Sequence, residues 1–331
     1  GAHAVLWVVL IAPFTLGGGV SATLPREGMP LPSIVTGWPA RAGRRALPAD
    51  AFSCYPVGAV PTLYGGTVSS FYRKGVILES GFPILSSNNV EDEALQRAAD
   101  AVTNMLSYRP DILPAIVGER VVASLMAGRD PPDAWGTPYV ETTKDIPEHS
   151  DLRGPPWDGY RGLGATEYRR ATTAGEENLL CEVADPYGGE SLWIHELAHT
   201  ILLMGLESVE PSFRGKLQAH YDQMMPAGLF SGTYAASNVD EYWAEGVQTW
   251  FDAQAIAPCC ATNWDCNDGI HNCIATRARL KSYDPGLAAL IAGVFGDGEW
   301  RWRCPGEEPE GYQPCPGGYQ PTHFPTPAPT T

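Results

Sequence analysis

Two histidines four residues apart, with a glutamate directly after the first, are the residues of this chain best placed to do chemistry: His195-Glu196-Leu197-Ala198-His199. They lie in an apolar run, residues 191–204, whose pattern predicts a helix. On a helix, positions four apart share a face, so both imidazoles point one way with the Glu196 carboxylate beside them. Imidazole pairs of this kind bind zinc, and a neighbouring carboxylate that does not coordinate can act as general base. Leu192, Trp193, Ile194, Leu197, Ile201 and Leu202 mark the helix as largely buried. Imidazoles and a carboxylate without partners there would carry a desolvation cost unless something binds them. The spacing therefore predicts a metal centre, and its chemistry would be hydrolysis.

A catalytic zinc needs three protein ligands and one open position. One pattern supplies the third from a His six residues after the second, with a Gly between; here position 202 is Leu and position 205 is Gly, so that route is closed. The remaining candidate is Asp240-Glu241-Tyr242-Trp243-Ala244-Glu245. It falls in a second patterned helix, predicted over residues 239–252 with Asn238 as N-cap. Glu241 and Glu245 share one face of it, while Trp243, Val247, Trp250 and Phe251 suit a core. Glu241 is the first choice for the ligand. Glu245, one turn on, would then accept a hydrogen bond from the outer nitrogen of a zinc-bound His and fix its tautomer. On spacing alone the reverse assignment stays open.

The two helices together carry a resemblance. His195-Glu-Leu-Ala-His199, followed by Tyr234-Ala-Ala-Ser-Asn-Val-Asp-Glu241-Tyr-Trp-Ala-Glu245, resembles the anthrax lethal factor-like zinc metallopeptidases, which include the Pro-Pro endopeptidases. These are gluzincins, with two His from one helix and a Glu from a later one. A Tyr stands seven residues before their glutamate ligand, which opens a Glu-aromatic-aromatic-Ala-Glu run. The resemblance implies that Glu241 rather than Glu245 binds the metal and that Tyr234 faces it. It covers roughly residues 65–255 and is strong only in the two helices. The chemistry implied is peptide hydrolysis by zinc-activated water. Glu196 would take the water's proton and pass it to the leaving amine, and the Tyr234 hydroxyl would donate to the developing oxyanion. One Zn2+ per chain is expected.

Length and composition fit this reading. A chain of 331 residues can bury a large core. Its net charge of −16 argues against nucleic acid and anionic membrane surfaces as partners; the expected partner is a peptide or protein substrate. Residues 1–22 hold an apolar stretch too short to span a bilayer, followed by small residues, and read as a truncated signal peptide. Export suits the eight cysteines, an even count read as disulfides rather than as a second zinc site with His271. The protein is expected to be secreted, without stable membrane association after signal removal. No Asn-x-Ser/Thr sequon is present.

The expected organisation is a signal peptide (1–22), an irregular leader or inhibitory propeptide (23–60), a catalytic domain (61–303) with a cysteine-rich segment (259–273), and a Pro/Gly/Thr-rich tail (304–331). The fold class expected is α+β and zincin-like: a mixed sheet with the zinc helix in one lobe, and a mainly helical second lobe carrying Glu241. Predicted elements include a strand over 68–78 with a turn at Lys74-Gly75, a helix over 89–108 capped by Asn88 or Asn89, and a strand over 115–126. A strand over 178–183 precedes the zinc helix, and Gly205 follows as its stop. Further helices are predicted over 211–221 and as a pair within 277–295. The segment 176–181 is the candidate edge for an extended substrate. Two other functions remain compatible with the residues: a binding protein with a structural metal, and a zinc hydrolase of a non-peptide amide or ester.

Overall fold

The computed structural model describes residues 55–128, 140–152, 160–183, 185–261, 266 and 268–309. The expected signal peptide, nearly all of the leader, most of the tail, and Cys54 and Cys315 lie outside them. A small hairpin, β1 (Thr62–Leu63) and β2 (Gly66–Thr67), is followed by β3 (Lys74–Ile77), β4 (Pro83–Ser86), α1 (Asp92–Met105), α2 (Ile112–Gly118), β5 (Val122–Met126), β6 (Gly162–Leu163) and β7 (Ala171–Gly175). Helices then dominate: α3 (Glu176–Leu179), α4 (Leu192–Thr200), a π-helical turn at Ile201–Leu206, α5 (Glu207–Val209), α6 (Phe213–Met224), α7 (Val239–Trp250), α8 (Arg277–Tyr283) and α9 (Pro285–Phe295). The class is α+β. Among the described residues no helix is long and apolar enough to cross a membrane.

Five strands form one mixed sheet in the order β3-β4-β5-β7-β6. β4, β5 and β7 run parallel, and each outer strand is antiparallel to its neighbour. Strand side chains alternate between faces. Ile84, Ala123, Leu125 and Ala174 enter the main core with α1 and α4, whereas Leu85, Val122, Met126 and Ala171 pack beneath Tyr72, Ile146 and the 60–71 segment. Both faces are covered, so β4 and β5 read as short, mostly apolar runs, which periodicity does not separate from buried helix.

That explains the main differences from the sequence reading. Residues 115–126 divide into the end of α2 and β5. Lys74 and Gly75 lie within β3 rather than in a turn, with Gly75 paired to Leu85 on one side and bridged to Gly58 on the other. α1 begins after Glu91 without a side-chain cap; Asn89 donates instead to Glu141 at 3.2 Å. The 178–183 strand is absent: α3 occupies 176–179, and Cys181 leaves it with a positive φ of 51°. Gly205 does not end α4, which runs through the π turn into α5. A Cβ at Gly205 would lie 2.7 Å from Ile112 Cγ2, so glycine is needed there for packing against α2.

α7 forms the helical core. All twelve of its residues are buried, Trp243 and Trp250 fully. Asn238 caps it as expected, its side chain accepting from Asp240 N at 2.9 Å and Glu241 N at 3.0 Å. The α8–α9 pair matches the expected helices, and α6 starts and ends slightly later than expected. Three disulfides join described cysteines: Cys181–Cys304, Cys259–Cys266 and Cys260–Cys273. The cysteine-rich segment is thus cystine-bridged, as read from the sequence.

Candidate metal centre

Ser191 opens α4 by accepting from Ile194 N, and its own N–H is held by Ala253 O at 2.8 Å. α7 packs along α4, tied by Trp243 Nε1 donating to Ala198 O at 2.9 Å. This crossing places a carboxylate of α7 against the imidazoles of α4. His195 Nε2 lies 3.0 Å from His199 Nε2 and 3.1 Å from Glu241 Oε2, and His199 Nε2 lies 3.4 Å from the same oxygen. All three side chains are buried.

The sequence expected Glu245 behind one of the two histidines, and the structure places it at His195. Its Oε1 lies 3.5 Å from His195 Nδ1, and its other oxygen is held by Gln254 Nε2. Gln248 comes closer, its Oε1 at 2.7 Å from His195 Nδ1. Sequence reasoning passed over Gln248, although positions 241, 245 and 248 share one helical face and that spacing was the available signal. The Gln248 amide is oriented by Nε2 donating to Ser191 O at 3.1 Å. Its oxygen therefore faces the imidazole, so His195 Nδ1 carries the proton.

This settles what the trio presents. In its neutral form His195 then turns the Nε2 lone pair toward a second imidazole nitrogen and a carboxylate oxygen. Three acceptors within 3.4 Å repel unless a cation or a proton lies among them. With zinc bonds of about 2.0–2.2 Å, tetrahedral ligand atoms sit roughly 3.3–3.5 Å apart, so the observed triangle needs only slight opening. The donor set, two imidazoles and one carboxylate, suits zinc. The second imidazole is less supported: His199 Nδ1 has no hydrogen-bond partner among the described residues.

The charge states tell the same story. Burial alone would lower the His195 imidazole, but the Glu241 carboxylate, with Glu245 and Glu196 nearby, raises it to about 10. Burial likewise opposes ionisation of Glu241, yet the two imidazoles hold its carboxyl at about 2. A proton here does the work of a cation. Burial pushes Glu196 and Glu245 each up to about 8 and Glu190 up to about 7. No side chain among the described residues hydrogen-bonds the Glu196 carboxyl; the Gly164 backbone N–H beside it favours its ionised form.

Two further groups border the trio. Tyr234 opens a 3-10 turn, Tyr234–Ala236, before α7. Burial, together with the Glu241 carboxylate to which its hydroxyl bonds, pushes the phenol well above its ordinary value. On the other side runs the end of the sheet. The edge strand is β6, not the 176–181 segment, which is helical. Just past β6, Gly164 lies against α4: a Cβ there would meet His199 Cβ at 2.7 Å and Glu196 Oε2 at 3.5 Å. Ala165 N donates to Thr200 Oγ1 at 2.9 Å and fastens the edge to the helix.

Replacing Gln248 with Leu would leave the His195 Nδ1–H without its nearest acceptor. The outer partner of a ligating His typically carries 10–100-fold of metal affinity, so Gln248→Leu should weaken zinc binding by about that factor. Competition against a chromogenic chelator reads it; unchanged affinity would show that Gln248 does not tune the site.

No protein-family model matches the chain, and no curated protein matches it. Among solved structures it is similar to a Pro-Pro endopeptidase from Paenibacillus alvei, at 20% identity over 60% of this chain and 91% of that one, with a TM-score of 0.38. A likeness that shallow carries no argument about activity; the side chains at the site carry it.

Proposed function

We propose that the chain is a secreted zinc endopeptidase of the gluzincin kind, related to the anthrax lethal factor-like and Pro-Pro endopeptidases. The observation that carries the reading is the buried triangle of His195 Nε2, His199 Nε2 and Glu241 Oε2, with the buried Glu196 carboxyl on the same helix. His195, His199 and Glu241 would hold the metal, with Gln248 and Glu245 behind His195. A zinc ion held there supplies the Lewis acidity that makes water nucleophilic near neutral pH.

The chain's own groups do the rest. Glu196 takes the proton of the attacking water and returns it to the leaving amine. No side chain among the described residues holds its carboxyl, which leaves it free for that transfer. The Tyr234 hydroxyl, buried and next to Glu241, donates to the oxygen that becomes negative; one such donor is worth about 3–4 kcal/mol. An extended peptide would pair with β6 on the side away from β7, since a sheet edge offers unpaired backbone groups. The contact of Gly164 with α4 brings that edge beside Glu196 and His199.

The test is cleavage of a peptide library read by mass spectrometry. Cutting should stop on chelation and return with added zinc. A zinc-loaded chain that hydrolyses small esters but no peptide would be a different hydrolase, and one that does neither would be a binding protein.

A further inference from the structure

We propose that the cystine-anchored turn Asp268–Cys273, in the cysteine-rich segment outside the family resemblance, is the positioning element for Tyr234. The inference rests on the proposed role of Tyr234 in peptide hydrolysis.

The contact is made through backbone. Tyr234 N donates to Gly269 O at 2.9 Å, and Ala235 N donates to Ile270 O at 3.0 Å. These consecutive bonds fix the orientation of the peptide planes from which the Tyr234 side chain departs. A third link runs from Asn272 Nδ2 to Ser231 O at 3.3 Å. The stretch just before α7 is thus laid along the turn.

The turn is built to keep its shape. The Asp268 carboxylate, itself buried, accepts four backbone N–H groups. Oδ1 takes those of Ile270, His271 and Asn272, each at 2.8 Å, and Oδ2 takes that of Cys273 at 2.7 Å. Hydrogen bonds to an ionised acceptor are the strong kind. They hold Asn272 and Cys273 in the left-handed region, at φ 52° and 62°, where non-glycine residues stay only if their surroundings impose it. The Cys260–Cys273 disulfide anchors the end of the turn to Cys260.

The turn is also fastened to the helix that carries Glu241. Thr249 Oγ1 of α7 donates to Ile274 O at 2.8 Å. His271 Nδ1 lies 3.1 Å from Asp268 Oδ2, and its Nε2 lies 3.1 Å from Ala255 O beyond the end of α7. α7 therefore sets Glu241 directly and Tyr234 by way of the turn. Two groups that must serve one reacting centre are referenced to the same element, which is what sub-ångström placement requires. Asp268 touches no reacting atom; it acts through Tyr234.

The experiment uses the full chain as wild type, Asp268→Ala, Tyr234→Phe and the double variant. Zinc stoichiometry and peptide-cleavage kcat and KM are measured, together with amide hydrogen exchange across residues 231–236. Asp268→Ala should lower kcat to the level of Tyr234→Phe, about 10²–10³-fold, with full zinc and little change in KM. The double variant should be no slower than Tyr234→Phe alone. Amide protection at Tyr234 and Ala235 should be lost in Asp268→Ala, whether or not zinc is present.

Losses that multiply in the double variant would overturn the proposal, as would full amide protection in Asp268→Ala. A wild-type chain that cleaves no peptide would sink the peptidase reading, and the exchange measurement would then decide the turn's role alone. Should Asp268→Ala fail to fold, Asp268→Asn keeps the Oδ1 acceptor and loses the Oδ2 contacts to Cys273 N and His271 Nδ1. Partial loss of protection there supports the turn's role, and none overturns it.

Discussion

Glu196→Gln should abolish peptide cleavage while leaving the zinc in place. Glu196 is buried on the helix that carries both imidazoles. Both Glu241 and Glu245 make hydrogen bonds or ion pairs with neighbouring side chains, whereas no side chain among the described residues hydrogen-bonds Glu196. General-base catalysis contributes about 10²–10⁴-fold, so kcat/KM should fall by roughly 10³-fold or more, about 4 kcal/mol of transition-state stabilisation. The same geometry predicts no cost in stability. Burial already holds the metal-free carboxyl up at about 8, so near neutral pH the chain folds around a neutral group. Glutamine matches its size and its charge, and no side-chain hydrogen bond is broken. Zinc content and melting temperature should match or exceed those of the unsubstituted chain. Appreciable turnover by Glu196→Gln would end the general-base assignment; loss of zinc would show that the residue holds the metal instead.

The two site helices were legible from the sequence because their signals are local. Asn238 followed by acidic residues is a cap, and the apolar spacing after it is helical; the structure has α7 starting at Val239 on that cap. The His195–His199 spacing needed only a helix to bring the imidazoles together, with ring centroids 4.7 Å apart. What remained hidden depends on partners far along the chain. β6 is two residues, Gly162 and Leu163, with no strand propensity of note; it is a strand because Ala174 and Thr173 pair with it. The 178–183 stretch carries β-forming residues, but its path is set by Asn178. That side chain donates to Asp185 and to Glu190 O and accepts from Trp193 N, and the Cys181–Cys304 link spans 123 residues. Gln248 was missed because attention to acids singled out Glu245. Which of the two meets His195 is decided by the Ser191 carbonyl, a contact between α7 and the start of α4.

Stripping the metal should destabilise the chain, and by more as pH rises. A ligand at 1,000 times its dissociation constant adds about 4 kcal/mol to the folded state, which for a chain of this size moves the melting temperature by roughly 10 °C. The pH dependence follows from the metal-free site. Burial holds Glu190 at about 7 and Glu196 and Glu245 at about 8, against 4.5 for ordinary glutamates. Between those values the folded chain keeps protons that the unfolded chain has released, so stability falls as pH rises. His195 works in the same direction. Although burial opposes it, its carboxylate neighbours raise it from 6.5 to about 10, and its contribution is full below 6.5 and lost toward 10. Glu241, held at about 2, stabilises above 4.5 and adds no slope in this window. A bound cation replaces the site's protons and removes much of this loss, because binding itself releases them. The gap in melting temperature between zinc-loaded and chelated protein should therefore widen from about pH 6 to about pH 8.5. In His199→Ala the gap should close at every pH, since one imidazole and one carboxylate remain. A gap that stays constant or narrows with pH would mean that the buried acids and the metal do not share one site.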